Sequence, residues 1–164
     1  MKVYRARGLR GPWTDFDPLD SSGSVGGING WRFNDKSTEI LYTAEVESLA
    51  VLEVAVRPGL ETILQIVIAQ IELPDDAVAE LHQLGMLLPS NWNARPVAND
   101  SRTIAREFLD TVAAMPGKKP IGLRVPSVLS ATNHNVLIDP SRKGELTHKI
   151  IHRLPFDTLR NTGS

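Results

Sequence analysis

The sequence predicts one domain of mixed α and β structure. Three observations carry that expectation. The chain has 164 residues, a length suited to a single domain with a sizeable core. Short β-branched runs alternate along it with segments of helical periodicity. No internal repeat, low-complexity block or linker interrupts it, so one domain over 1–164 is expected.

The elements follow in order. Lys2–Ala6 is predicted as a short strand, and Gly8–Gly30 as a loop rich in Gly, Pro, Ser and Asp. Loops of this length in compact domains often carry function. Glu39–Thr43 is predicted as a strand and Val46–Arg57 as a helix stopped by Pro58-Gly59. Thr62–Glu72 is β-branched and reads as a strand. Asp75–Leu84 reads as a helix, with acidic residues at its positive end. Gly85–Val97 is a loop holding Trp92 and two prolines. Asn99–Ala114 reads as an amphipathic helix with Ile104, Phe108, Leu109 and Val112 on one side. Pro120–Val125, Asn135–Ile138 and Ile150–Leu154 are predicted as strands.

Composition removes several function classes. The formal net charge is -1, so no basic excess exists to track a nucleic-acid backbone. Cysteine is absent, which excludes disulfides and thiolate metal sites and fits the cytoplasm. Met1–Arg10 is charged and lacks the apolar region of a signal peptide. The run Ile63–Ile71 is interrupted by Gln65 and Gln70, so no membrane-spanning segment is expected. A Gly-x-Ser-x-Gly elbow and a Gly-Lys-Ser/Thr phosphate loop are both missing, and Gly117-Lys118-Lys119 lacks the hydroxyl for magnesium. The glycines between 23 and 30 do not fit a Rossmann fingerprint. Glu145, His148 and His152 do not form a zinc motif, and no metal site is expected.

What remains is a set of polar residues at unusual places. Residues 23–34 crowd four glycines into a short polar stretch containing Arg32. Glycine permits close backbone approach, and arginine offers a planar fork that matches phosphate oxygens. A loop around an anionic small molecule fits, and so does a plain surface loop. Glu53 lies on the apolar face formed by Val46, Leu49, Ala50 and Val56. A carboxylate there is costly unless paired or hydrogen-bonded. It is either a structural ion pair or a preorganised group facing a cleft. Tyr42 is a core aromatic or a ring that stacks on a ligand. Ser127, in Val-Pro-Ser-Val, is turn chemistry or a ligand hydrogen bond, and Asn133-His134-Asn135 carries the same two readings.

In order along the chain stand Tyr4-Arg5, Gly30-Trp31-Arg32-Phe33-Asn34, Leu41-Tyr42-Thr43 and Leu49-Ala50-Val51-Leu52-Glu53. Val125-Pro126-Ser127 and Asn135-Val136-Leu137-Ile138-Asp139-Pro140 follow. This series resembles the RES-domain toxins of bacterial toxin–antitoxin pairs, named for Arg, Glu and Ser. It departs from that pattern at Trp31, where the family has a second glycine, and at Asp139, where it has Asn.

The resemblance implies an α+β fold similar to ADP-ribosyltransferases, with small sheets and flanking helices around a central cleft. It implies NAD+ as the consumed substrate, and nicotinamide is a leaving group good enough to need no metal. By the same resemblance Glu53, Arg32 and Tyr42 are catalytic. Arg5, Arg32, Tyr42, Ser127 and Asn135 bind the dinucleotide. The acceptor of ADP-ribose stays open. Transfer onto a protein, such as an enzyme of nucleotide synthesis in one branch of the family, is favoured over phosphate or water. Simple NAD+ glycohydrolase or phosphorylase activity is the alternative, and a non-catalytic nucleotide- or protein-binding module is the alternative of another class. The resemblance also implies a partner antitoxin with a helix-turn-helix domain. DNA is then met only through that partner, and no membrane is involved.

Overall fold

The computed structural model describes residues 1–11, 16–25, 29–56 and 63–155. In chain order the strands are β1 (Lys2–Leu9), β2 (Leu41–Ala44), β3 (Gln65–Glu72), β4 (Val78–Glu80), β5 (Gly122–Ser127), β6 (Ser130–Ile138) and β7 (Thr147–Pro155). The α-helices are α1 (Glu47–Ala55), between β2 and β3, and α2 (Ile104–Ala114), between β4 and β5. The strands form one sheet in the order β4-β5-β6-β2-β1-β3-β7, so the fold is α+β as predicted.

The sheet has two halves. In one, β3 lies antiparallel between β1 and β7. In the other, β2 and β5 flank β6 in antiparallel pairing, and β4 adds a parallel edge. The halves meet at the single register pair Tyr4↔Ala44. The small sheets expected from the resemblance are thus two parts of one hydrogen-bonded order, joined at a narrow seam.

Burial explains the strands. Residues 66–71 of β3 are buried throughout, as befits a strand covered on both faces. Ile66 and Ile68 pack with Val54 of α1, while Val67 and Ala69 pack with Leu9 and Phe16 on the other side. The edge strand β7 is mostly exposed and carries His148, Lys149, His152 and Arg153. Charged edges of this kind discourage pairing with other chains. Helix α2 buries Ile104, Phe108 and Val112 at helical spacing against Phe33, Leu123, Val125 and Leu137. Helix α1 sets Leu49 and Ala50 against Tyr4, Ala6 and Ala44, directly over the seam.

Several expectations change. Asp75–Leu84 is not an α-helix: it is β4 followed by a 3-10 helix, Leu81–Leu84. The Ala77 N–H bonds Pro74 O and Asp76 takes a φ of 60°. That turn feeds the chain onto the edge of β5, so sheet pairing overrides the acidic helix-start signal. The helix predicted from Asn99 opens with a 3-10 turn, Asp100–Thr103, before α2. Asn133-His134-Asn135 is not a turn but lies inside β6, and β1, β6 and β7 all run longer than predicted. Helix α1 ends at Ala55, so Val56, expected on its apolar face, is 53% exposed, and Val54, which was not expected there, is buried in the core. The Gly26-Gly27 pair, the Pro58-Gly59 helix stop and Thr62 lie outside the described residues. Among the described residues no helix is long and apolar enough to cross a membrane.

Candidate active site

The site begins with a loop that closes on itself. Gly30 has a φ of 78°, and a Cβ there would sit 2.2 Å from the Asn34 carbonyl oxygen. Only glycine fits that turn. Trp31 N–H then bonds Asn34 O at 2.9 Å. The Asn34 side chain is fully buried. Its Nδ2 donates to Ser24 O, Asp35 O and Thr38 O at 2.8–3.0 Å. Its Oδ1 accepts from the Tyr42 hydroxyl at 2.8 Å. That hydroxyl in turn accepts from Phe33 N–H at 3.1 Å. Phe33 O accepts from Ala105 N–H at 2.8 Å, which ties the loop to the start of α2. Tyr42 therefore spends its hydroxyl on the scaffold.

Arg32 projects from this loop. Its Nη1 donates to Trp92 O at 2.7 Å and Ala94 O at 3.2 Å. Phe33 and Trp92 stack with centroids 6.3 Å apart, which ties the Trp92 segment to the same loop. Burial, and then the nearby Arg95, push the Arg32 pKa below its ordinary value, while Glu53 and Tyr42 act the other way. The group stays cationic at neutral pH.

Glu53 comes from α1, four residues after buried Leu49, and is half-buried. Ser127 Oγ, at the end of β5, donates to its Oε1 at 3.1 Å. Asn135 Nδ2, on β6, donates to the same oxygen at 2.8 Å. Ser127 Oγ also accepts from Leu129 N–H at 3.1 Å, so the turn and the carboxylate share one anchor. Both strand contacts fall on Oε1, and Oε2 accepts no hydrogen bond among the described residues. The buried-edge carboxylate is satisfied on one oxygen and available on the other.

Glu53 stands on the wall between two lobes of one cleft. The first lobe, about 300 Å³, opens over the seam and is lined by Tyr4, Arg5, Arg7 and Arg10. The second, about 310 Å³, is lined by Arg32, Phe33, Pro126 and Ser127. Trp31, Tyr42, Glu53 and Asn135 border both. Each lobe sits at the small end of the about 300–1,000 Å³ usual for ligand sites; the pair suits an elongated ligand.

All six candidate residues from the sequence therefore border the cleft, but not in one cluster. Glu53, Ser127 and Asn135 are hydrogen-bonded together, with Tyr42 and Arg32 on the facing loop. Arg5 is apart from Arg32, in the other lobe. Its Nη1 donates to Pro18 O at 2.8 Å, and its guanidinium lies 5.9 Å from the Phe16 ring centroid. Sequence reasoning missed Asn34 as the hub of the loop; its place at the end of the Gly30–Asn34 segment was the available signal. It also missed Trp31, which walls both lobes while its Nε1 donates to Gly23 O at 3.0 Å. Among the described residues no group of three or more His, Asp or Glu side chains is arranged to hold a metal.

These features define an α+β domain whose two-lobed cleft is split by a strand-anchored glutamate. The family model of the RES domain matches residues 2–158, and the chain belongs to that family. It is 30% identical over 147 residues to a protein of Yersinia enterocolitica named Toxin Res, covering 87% of this chain and 86% of that one. A Photorhabdus laumondii protein of the same name is 31% identical, with 82% and 83% covered. A Sphingobium protein named Prs ADP-ribosylating toxin is 31% identical over 131 residues, with 77% and 76% covered.

Proposed function

We propose that this protein is the toxin of a toxin–antitoxin pair. In this reading it breaks the nicotinamide–ribose bond of NAD+ and transfers ADP-ribose to an acceptor. The observation that carries the reading is Glu53, fixed through Oε1 by Ser127 and Asn135 at the junction of two lobes, with Oε2 left to a ligand. The names of the relatives support it, one being called a Prs ADP-ribosylating toxin.

The bond from ribose C1′ to the nicotinamide nitrogen breaks, and its electron pair leaves on nicotinamide. Positive charge builds on C1′ and the ring oxygen. Glu53 stabilises that charge, and its Oε2 accepts a hydrogen bond from a ribose hydroxyl. A carboxylate held in advance is worth more than one that must reorganise. The acceptor's nucleophilic atom then bonds to C1′ and releases its proton to water. Tyr42 offers its ring face to nicotinamide, since its hydroxyl is already engaged. Arg32 offers its fork to the phosphates. Ser127 and Asn135 act through Glu53 as positioning residues. The acceptor in this reading is a protein, with phosphate and water as the alternatives.

An enzyme that consumes NAD+ harms its own cell unless restrained. The partner expected is an antitoxin with a helix-turn-helix domain. A C-terminal segment of it would enter the cleft, its carboxylate standing in for a phosphate at Arg32. Expression of this chain alone should arrest growth while cellular NAD+ falls or a target protein becomes modified. Co-expression with the neighbouring gene should restore growth. Harmless expression at high level, with NAD+ and protein modification unchanged, contradicts the reading.

A further inference from the structure

We infer that Arg95 and Arg32 together form an anion clamp in the second lobe, built for the paired phosphates of a dinucleotide. The identity of the ligand rests on the function proposed above; the clamp itself does not. Both arginines line that lobe. Arg32 Nη1 is held by the carbonyls of Trp92 and Ala94, the residues just before Arg95. One short segment therefore fixes one guanidinium and carries the other.

Charge makes the arrangement unusual. The partners of Arg32 are neutral carbonyls, which orient the cation without neutralising it. Neither arginine forms an ion pair among the described residues. Glu53 is the acid bordering the lobe, and its Oε1 is already taken by Ser127 and Asn135. Both side chains line one lobe, and repulsion from Arg95, after burial, lowers the Arg32 pKa. Two guanidiniums lining one lobe, with Glu53 the one acid at its border among the described residues, repel each other in the free protein. An anion relieves that repulsion. A diphosphate does so best, because its two phosphates present separate oxygen pairs to two planar forks. Arg95 is exposed, so water and a ligand reach its guanidinium from the open side of the lobe.

The test is calorimetric titration of inorganic pyrophosphate into the whole protein and into three variants. Arg95→Ala should weaken pyrophosphate binding about tenfold or more, the loss typical of one charge-assisted contact. Arg95→Lys should recover part of it, since charge returns without the fork. Lys143→Ala, which removes an equal charge far along the chain on an exposed turn, should bind as the wild type does. Nicotinamide release from NAD+ is measured on the same wild-type preparation. Pyrophosphate binding that depends on Arg95, in a protein that releases no nicotinamide, keeps the clamp and removes the proposed reaction. Release of nicotinamide by a protein whose pyrophosphate affinity is the same with Arg95→Ala removes the clamp and keeps the reaction. Failure of the wild type to bind pyrophosphate also overturns the clamp.

Discussion

Glu53 is a carboxylate with one oxygen committed and one open. The donors at 2.8 and 3.1 Å come from neighbouring strands β5 and β6, while the acid itself comes from α1. The carboxylate position is thus set by three elements at once. Truncating Asn135 to Ala should leave the protein folded and let the carboxylate rotate. A kcat lower by about tenfold, with KM little changed, is the expected outcome, the size of one lost charge-assisted hydrogen bond. A loss confined to KM would instead make Asn135 a direct ligand contact. Arg32→Lys is a different kind of change. It keeps the charge but loses the flat fork and the two carbonyl bonds. NAD+ affinity measured by calorimetry should fall by about tenfold or more, whereas an unchanged value would make Arg32 a mere loop anchor.

At the scale of the element, the Gly30–Asn34 loop and its partner Tyr42 behave as one unit. Gly30→Ala forces a Cβ to within 2.2 Å of Asn34 O at a φ of 78°. It should cost about 2 kcal/mol or more, seen as a melting temperature lower by about 4–8 °C. A variant as stable as the wild type would mean that the turn is not held as described. The loop's acid, Asp35, has its pKa lowered, first by the Ser37 side chain, with burial opposing. The sign follows from linkage. A carboxyl lowered on folding stabilises the protein above its ordinary pKa of 3.8, and that contribution fades as pH falls through the lowered value. Asp35→Asn should therefore flatten part of the stability loss below about pH 4 in acid titrations followed by circular dichroism; an unaltered acid limb would count against the bond to Ser37.

The same loop shows what the sequence did and did not disclose. Gly30, Arg32 and Tyr42 are each ordinary for a loop or a strand, and they stood out through the ordered series of motifs that resembles the RES family. Asn34 did not, because an asparagine in a polar loop looks ordinary until its burial is known. Glu53 was visible as an acid on an apolar helical face, four residues after Leu49. Its anchors were not, since Ser127 and Asn135 are separated from it by more than seventy residues and meet it only where α1 packs over the paired strands. β4 failed for the same reason. Its three residues carry no β signal of their own, and the parallel pairing Val78↔Gly122 to Glu80↔Arg124 makes them a strand. The helices and β3 were legible because their signals, helical spacing in the one case and a β-branched run in the other, are local.

Across the whole molecule, the seam at Tyr4↔Ala44 is where the two sheet halves part, and the cleft opens over it. Helix α1 spans the seam and delivers Glu53 there. On the other half, α2 fixes the floor of the Arg32 loop through Ala105 and Phe33. Phe108, fully buried in that contact, should cost about 3–5 kcal/mol when cut to Ala. Activity at a temperature where the variant remains folded should fall less than for Glu53→Gln. That ordering would separate support of the loop from participation in the chemistry.

The claim at the centre is that Glu53 drives nicotinamide release from NAD+. The direct measurement is nicotinamide appearance from NAD+ with purified wild-type protein and with Glu53→Gln, each with and without phosphate and a cell extract. The wild type should release nicotinamide, fastest in the arm that supplies its acceptor. Glu53→Gln should be slower by about 100-fold or more at an unchanged melting temperature. Equal rates from the two proteins, or no release in any arm, would contradict the account.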